Sequence, residues 1–375
     1  MEKKKVLILT NSDAGFYEFR KELIGELLIK NMEIHISSPD TGHLGKLGEC
    51  GAIIHETALD RRGMNPKRDL NLYKAYRSLI KEIKPDVILS YTIKPNVYGG
   101  VAARKAKVPA LATVTGLGST LQNDGLVKKL VTAMYKAGLK GAFCVFFQNA
   151  FNRQFMIDTG CIKKDCNTVL LAGSGVNLEE HMLCPYPEES DKVHILNIGR
   201  IMDDKGSAEL LTVAEKLHEK YPELVIDILG TFEEETREKY EPWVKRLEEL
   251  GTVQYHGFRD DVDSFYSKSH ALVHPSYHEG MSNVVQEAAA AGRPVITSDI
   301  PGCQEIYEKD ISGIAFEPKS IEALENAIIK FLKMSHDEKE KMGLEAREYV
   351  SRHFDRKKVM EEYVRVIEEA IESQR

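Results

Sequence analysis

The chain has 375 residues, 42% hydrophobic and 29% charged, with six cysteines and a formal net charge of −7. Such a length accommodates two ordinary domains, each with its own core. The acidic balance argues against general nucleic-acid binding, and cysteines without a CxxC pair argue against a disulfide or zinc scaffold, leaving buried thiols in a reducing cytosol. No apolar run approaches the roughly 20 residues of a spanning helix.

In chain order, Val6–Thr10 reads as a first strand rather than as the core of a leader peptide. Further strand candidates follow at Glu33–Ser37, Asp86–Ser90, Ala110–Val114 and Cys144–Phe147. Between them, Tyr17–Lys30, Leu70–Lys84 and Leu126–Lys140 repeat apolar residues every three or four positions, the period of amphipathic helices. Pro85 and Pro109 stop helices just ahead of strands. This alternation implies a parallel sheet covered on both faces. It breaks at Cys184-Pro-Tyr-Pro-Glu-Glu-Ser-Asp191, a linker-like stretch. It restarts with His194–Ile198, Leu224–Leu229, Thr252–His256, Ala271–His274 and Pro294–Thr297, and ends on a helical pattern over Asp337–Arg375. The expectation is two doubly wound α/β domains, 1–185 and 190–354, facing across a cleft, with the last helix (355–375) packing back on the first.

Charge is unevenly spread. Residues through Pro185 carry 26 Lys+Arg against 18 Asp+Glu, the remainder 25 against 40, and Arg61–Lys140 alone has 16 basic and 4 acidic side chains. Such a block suggests an anionic partner, although a solvated surface gives the same composition.

Ligands of open α/β sheets bind beyond the carboxyl ends of the strands. After His194–Ile198 stands Gly199-Arg200-Ile-Met-Asp-Asp-Lys205-Gly206, in which two cations flank a helix start, a suitable diphosphate site. After Ala271–His274 stands Pro275-Ser-Tyr-His-Glu279-Gly280-Met281-Ser282-Asn283, leading into a helix capped by Ser282 or Asn283 and ended by Gly292. Glu287, one turn inside among small apolar residues, is placed to accept hydrogen bonds from a vicinal diol such as ribose. His274 and His278 have a zinc-like spacing, but Pro275 between them argues against a helix, and no metal is expected.

Glu279 and Glu287, eight apart in His-Pro-Ser…Glu-Gly-Met-Ser-Asn…Glu-Ala…Gly-Arg-Pro-Val-Ile, resemble the EX7E signature of retaining glycosyltransferases. Together with Gly-Arg-x4-Lys-Gly upstream, the second half is similar to glycosyltransferase family four, which has the GT-B fold. The resemblance implies Arg200 and Lys205 at the donor diphosphate beside Gly199, Glu287 at the ribose, and Glu279 at the donor sugar with Gly280, Met281, Ser282 and Asn283. Phe258 and Arg259 would line the base. It implies no cofactor and no metal, because the donor's own phosphate assists front-face attack.

In the first half, Asn11-Ser-Asp-Ala-Gly15-Phe-Tyr-Glu-Phe-Arg20, Tyr91-Thr-Ile-Lys94-Pro95-Asn96 and Thr113-Val-Thr115-Gly116-Leu-Gly118 resemble bacterial transferases that extend undecaprenyl-diphosphate-linked oligosaccharides. Many members carry histidine where this chain has Thr115, and another near Thr92, so the histidine roles do not carry over. Gly15 would let the first loop approach the donor phosphate. The implied partners are a UDP-sugar carrying an N-acetylhexosamine or a hexose, a polyprenyl-diphosphate-linked acceptor, and an anionic membrane met peripherally on its cytoplasmic face. Arg20, Lys94 and Thr115 would serve the acceptor. Arg61, Arg62, Lys67, Arg68, Lys128, Lys129 and Lys136 would meet the surface, with Leu126, Leu130, Met134 and Leu139 as an interfacial stripe. Alternatives are an enzyme of the UDP-N-acetylglucosamine 2-epimerase type and a non-catalytic nucleotide-sugar-binding protein. A dinucleotide dehydrogenase is disfavoured because no GxGxxG follows the first strand.

Overall fold

The computed structural model describes residues 3–60, 63, 65–117 and 125–374. It divides into two compact units, 1–174 with 357–375, and 175–356.

The first unit is a parallel sheet of seven strands in the order β3-β2-β1-β4-β5-β6-β7. These are β1 Lys5–Leu9, β2 Glu33–Ser38, β3 Ile53–Glu56, β4 Val87–Tyr91, β5 Ala110–Val114, β6 Cys144–Phe147 and β7 Thr168–Leu170. The central strands are apolar on both faces because helices cover both, so they show continuous hydrophobic runs instead of alternation. The helix Asp13–Ile29 begins where Ser12 accepts a hydrogen bond from the Gly15 amide. It buries Phe16, Leu23, Ile24 and Leu27 on one side of the sheet.

The second unit repeats the plan with six parallel strands, order β10-β9-β8-β11-β12-β13. They are β8 Val193–Ile198, β9 Leu224–Leu229, β10 Val253–Gly257, β11 Ala271–His274, β12 Val295–Ser298 and β13 Gly313–Phe316. In both sheets the order runs outward from a first strand and then jumps to its other side. That reversal leaves a crevice at the carboxyl ends, between β1 and β4 and between β8 and β11.

The chain changes unit between Ser174 and Gly175, well before the Pro-rich stretch that composition singles out. Residues 175–187 form a strap on the second unit. Arg347 Nη1 donates to the His181 carbonyl (2.7 Å), Arg293 Nη2 to the Pro185 carbonyl (2.6 Å), and the Tyr186 hydroxyl to the His270 carbonyl (2.8 Å). Prolines and acids mark an exposed path, but they do not show which body it follows. The C-terminal helical pattern is two helices, His336–His353 and Arg356–Glu372, parted where Val176 forms a bridge with Asp355. The last helix closes the core of the first unit with Val359, Met360, Tyr363 and Ile367, and the Tyr363 hydroxyl lies 3.0 Å from Thr113 Oγ1.

No helix among the described residues is long and apolar enough to cross a membrane. The helix Leu126–Leu139 turns Val131, Tyr135 and Leu139 into its own core and leaves Val127 and Leu130 exposed, at 43% and 51%. Leu139 therefore belongs to the sheet-facing side, not to an interfacial stripe. A 3.6-residue period marks an apolar face without saying what covers it.

Candidate active site

The crevice of the second unit is assembled by four glycines that let the chain turn and loops touch. Gly206 has φ +67°, and a Cβ there would lie 2.2 Å from the Pro275 carbonyl oxygen, so only glycine lets the loop after β8 meet the loop after β11. The Tyr277 amide donates to the Asp204 carbonyl at 2.9 Å across the same junction. Gly302, from the loop after β12, accepts from the Ser282 amide at 2.8 Å; a Cβ there would come within 2.9 Å of the Glu279 and Gly280 carbonyls. Gly199 (φ +156°) turns the chain out of β8, and a Cβ on Gly230 would strike its carbonyl at 1.9 Å.

Held by these contacts, Lys205 and Glu279 meet at 2.5 Å, with side chains 27% and 16% exposed. His274, at the end of β11 and itself buried, places Nε2 3.1 Å from the same Glu279 oxygen and 3.2 Å from Ser282 Oγ. A carboxylate only accepts, so Nε2 carries the proton. Burial works against charge on Glu279, but the His274 hydrogen bond and the Lys205 charge outweigh it, holding the carboxyl well below the usual range. Ser282 is the helix cap: its hydroxyl accepts from the Val285 amide, and the helix Asn283–Ala290 follows, ending before Gly292 at φ +77°. Met281 is buried in the loop ahead of it. The positive end of that helix thus lies beside Lys205 and Glu279.

Glu287 occupies a different environment on the helix. Its Oε2 lies 3.2 Å from the Tyr266 hydroxyl, and burial raises its carboxyl above the ordinary value. The two carboxylates, alike in the spacing, are pushed in opposite directions. Arg200 leaves β8 toward Glu233, with which it pairs at the surface rather than with Glu279. Phe258 stands 70% exposed just beyond β10, next to Arg259, which makes a two-pronged pair with Asp261 at 2.8 Å. Among the described residues no group of three or more His, Cys, Asp or Glu is gathered to hold a metal ion, and His274 is engaged by Glu279 and Ser282.

In the first unit the crevice is bordered by Ser12, Tyr91 and the loop after β5 that carries half-buried Thr115. Gly15 lies in the first turn of its helix, and a Cβ there would meet only Ser12, at 3.3 Å. Asp13 is buried; burial disfavours its charge, yet hydrogen bonds from Thr41 and the His43 amide bring its carboxyl to about 2. Thr92, just past β4, has φ +72°, a strained conformation for a β-branched residue. Arg20 is buried and Lys94 half-buried, and each is engaged within the unit. Arg20 lies over the Tyr91 ring (4.6 Å) and donates to Ser174 Oγ (3.2 Å). Lys94 donates to Asp69 (2.8 Å) and to the Gly63 carbonyl (2.6 Å). Lys67, Lys129 and Lys136 are exposed, Lys128 is half-buried, and Arg68 pairs with Asp60 at 3.0 Å. Lys128, Lys129, Lys136 and Thr132 border an open groove of about 800 Å³. Arg61, Arg62 and Gly118 lie outside the described residues.

Sequence reasoning did not single out His274 or Tyr266 as partners of the two glutamates. His274 was visible as half of a zinc-like spacing and at the head of His-Pro-Ser, with no role attached to it, and Tyr266 carried no motif.

Residues 185–349 match the family described as glycosyl transferases group 1, and residues 5–149 match glycosyl transferase 4-like. The chain is 28% identical, over 91% of its length and 92% of the relative's, to the N,N'-diacetylbacillosaminyl-diphospho-undecaprenol alpha-1,3-N-acetylgalactosaminyltransferase of Campylobacter jejuni. It is 27% identical, over 89% of each chain, to the capsular polysaccharide biosynthesis glycosyltransferase CapM of Staphylococcus aureus. Its fold is similar to that of Anabaena Alr3699/HepE, solved with UDP and glucose, at a TM-score of 0.79 and 16% identity, covering 97% of this chain and 99% of that one. Two Rossmann-like sheets of this order, matched to these glycosyltransferase families over residues 185–349 and 5–149, make the chain a glycosyltransferase of the GT-B fold.

Proposed function

We propose that the protein transfers an N-acetylhexosamine or hexose, with retention, from a UDP-sugar to a lipid-diphosphate-linked glycan. The observation that carries the donor side is the Lys205–Glu279–His274–Ser282 network at the strand reversal of the second sheet. A diphosphate entering there would take Lys205 from Glu279, and Arg200 from Glu233. Both cations would then stabilise charge that grows on the leaving phosphate, an effect of the order of 2.7–4 kcal/mol per well-placed donor. Glu279, held ionised, suits the role of acceptor for donor-sugar hydroxyls rather than of general acid. The raised carboxyl of Glu287 lies where a ribose diol can bind, and exposed Phe258 offers a stacking face for a base.

With Lys205 and Arg200 supplying positive charge, the scheme uses neither a metal nor a protein nucleophile. The donor phosphate takes the proton of the incoming hydroxyl on the same face. An α linkage, as in the Campylobacter relative's name, is what retention yields from an α-linked UDP donor, whichever acceptor hydroxyl attacks. That name and that of CapM support a lipid-linked acceptor and a place in surface-glycan synthesis. Exposed Lys67, Lys129 and Lys136, with Val127 and Leu130, suit peripheral contact with an anionic cytoplasmic membrane face at about 1 kcal/mol per cation. UDP release measured across a panel of nucleotide sugars, with and without a lipid-linked acceptor, tests the reading. Acceptor-dependent release with one UDP-sugar is expected. Acceptor-independent release with formation of an epimer would point to the epimerase alternative, and binding without turnover to a sensor.

A further inference from the structure

Glu287 makes no ion pair within 4 Å among the described residues, and burial disfavours its charge. Its Oε2 instead faces the Tyr266 hydroxyl at 3.2 Å, nearer to that hydroxyl than its other acceptor, the Val284 carbonyl oxygen at 3.4 Å. Tyr266 closes the short helix Val262–Tyr266 and is 1% exposed. Its carbonyl accepts from Arg293 Nε at 2.6 Å, so the residue is fixed at its backbone as well as its hydroxyl. The same short helix is tied to the strap by His181, whose Nδ1 lies 2.8 Å from Asp263 Oδ1 and whose ring stands edge-on to Tyr266 at 6.5 Å.

We propose that Tyr266 is a positioning residue for nucleotide recognition: by holding Oε2 it orients the Glu287 carboxylate so that Oε1 meets the ribose hydroxyls. This rests on the ribose-binding reading of Glu287. A tyrosine hydroxyl is a suitable holder because it donates one hydrogen bond in a fixed direction without adding charge, so the carboxylate keeps its affinity for the diol. A lysine or arginine there would compete with the ligand for both oxygens.

The test compares binding of UDP and 2′,3′-dideoxy-UDP by titration calorimetry to wild type, Tyr266→Phe and Glu287→Gln. Wild type is expected to prefer UDP. Tyr266→Phe should cut that preference about tenfold, the scale of one hydrogen bond to a charged group, while dideoxy-UDP binding stays within about twofold. At saturating donor its kcat should stay within about twofold, because the lost interaction acts in ground and transition states alike. Equal weakening toward both nucleotides, or an unchanged preference, in a Tyr266→Phe protein overturns the positioning role if Glu287→Gln still loses the preference. If Glu287→Gln also keeps the preference for UDP, the ribose reading itself falls, and the role of Tyr266 with it.

Discussion

Replacing Lys205 by alanine removes a cation from two situations, the resting contact with Glu279 and the growing charge of the leaving diphosphate. In the resting protein the pair is 2.5 Å apart with side chains 27% and 16% exposed, neither a surface pair nor a fully buried one. Exposed pairs contribute about 0.2–1 kcal/mol, and breaking a buried pair costs about 3–5 kcal/mol. A cost of about 1–2 kcal/mol follows, because His274 still donates to the stranded carboxylate. For a unit of this size that lowers Tm by roughly 2–8 °C. Combining the change with Glu279→Gln should restore about 1 kcal/mol, since no uncompensated charge then remains. Turnover should fall by about 10²–10³, the usual effect of losing one donor to transition-state charge. Thermal melts of the two single variants and the double variant, with UDP-release rates, form the assay. Saturating UDP should protect wild type by about 2.7 kcal/mol at 100 times Kd, and Lys205→Ala less at the same concentration. Wild-type turnover in Lys205→Ala, or strictly additive melts, would refute the reasoning.

Gly206→Ala should destabilise the second unit by about 2 kcal/mol or more and depress activity, because the residue is left-handed and its Cβ would strike the Pro275 carbonyl; an unchanged melt would show that the two loops have room to part. Transfer should persist in EDTA, with Lys205 and Arg200 in the role a metal would otherwise take; complete loss restored by Mg²⁺ or Mn²⁺ would contradict this. The protein should bind anionic vesicles at low salt and release as the Debye length shrinks toward about 8 Å at 0.15 M. Changing Lys128, Lys129 and Lys136 to Glu should abolish that binding and reduce transfer to a lipid-linked acceptor more than to a water-soluble one. Undiminished co-sedimentation would leave the basic block a solvated surface.

Of the strands that border the crevices, β1, β4 and β11 were legible as short, mostly buried apolar runs, and β8 through its apolar centre, Ile195-Leu196. β3, β7 and β13 were not: each has only three or four residues at a sheet edge, and in β3 and β7 partial exposure also erases the pattern. The loops after β8 and β11 stood out through Gly206, Lys205, Glu279 and Ser282, since their chemistry depends on residue type at fixed spacing. What stayed hidden were partners distant in sequence. Glu233 takes Arg200, Asp69 takes Lys94, and Tyr266 holds Glu287, and none lies within a motif. The eight-residue spacing likewise made Glu279 and Glu287 look equivalent, whereas a cation beside one and an apolar helix face around the other drive their carboxyls apart. The change of unit at Ser174 was invisible because Arg293 and Arg347 bind the strap through its backbone carbonyls, which any sequence would present.

The most direct test of the central claim follows a labelled sugar from its UDP donor into an undecaprenyl-diphosphate-linked acceptor with purified protein. Label should appear in the extracted lipid-linked product in equal amount to the UDP released, joined through an α linkage by NMR. Label recovered only as free sugar or as an epimer, or joined through a β linkage, would contradict it.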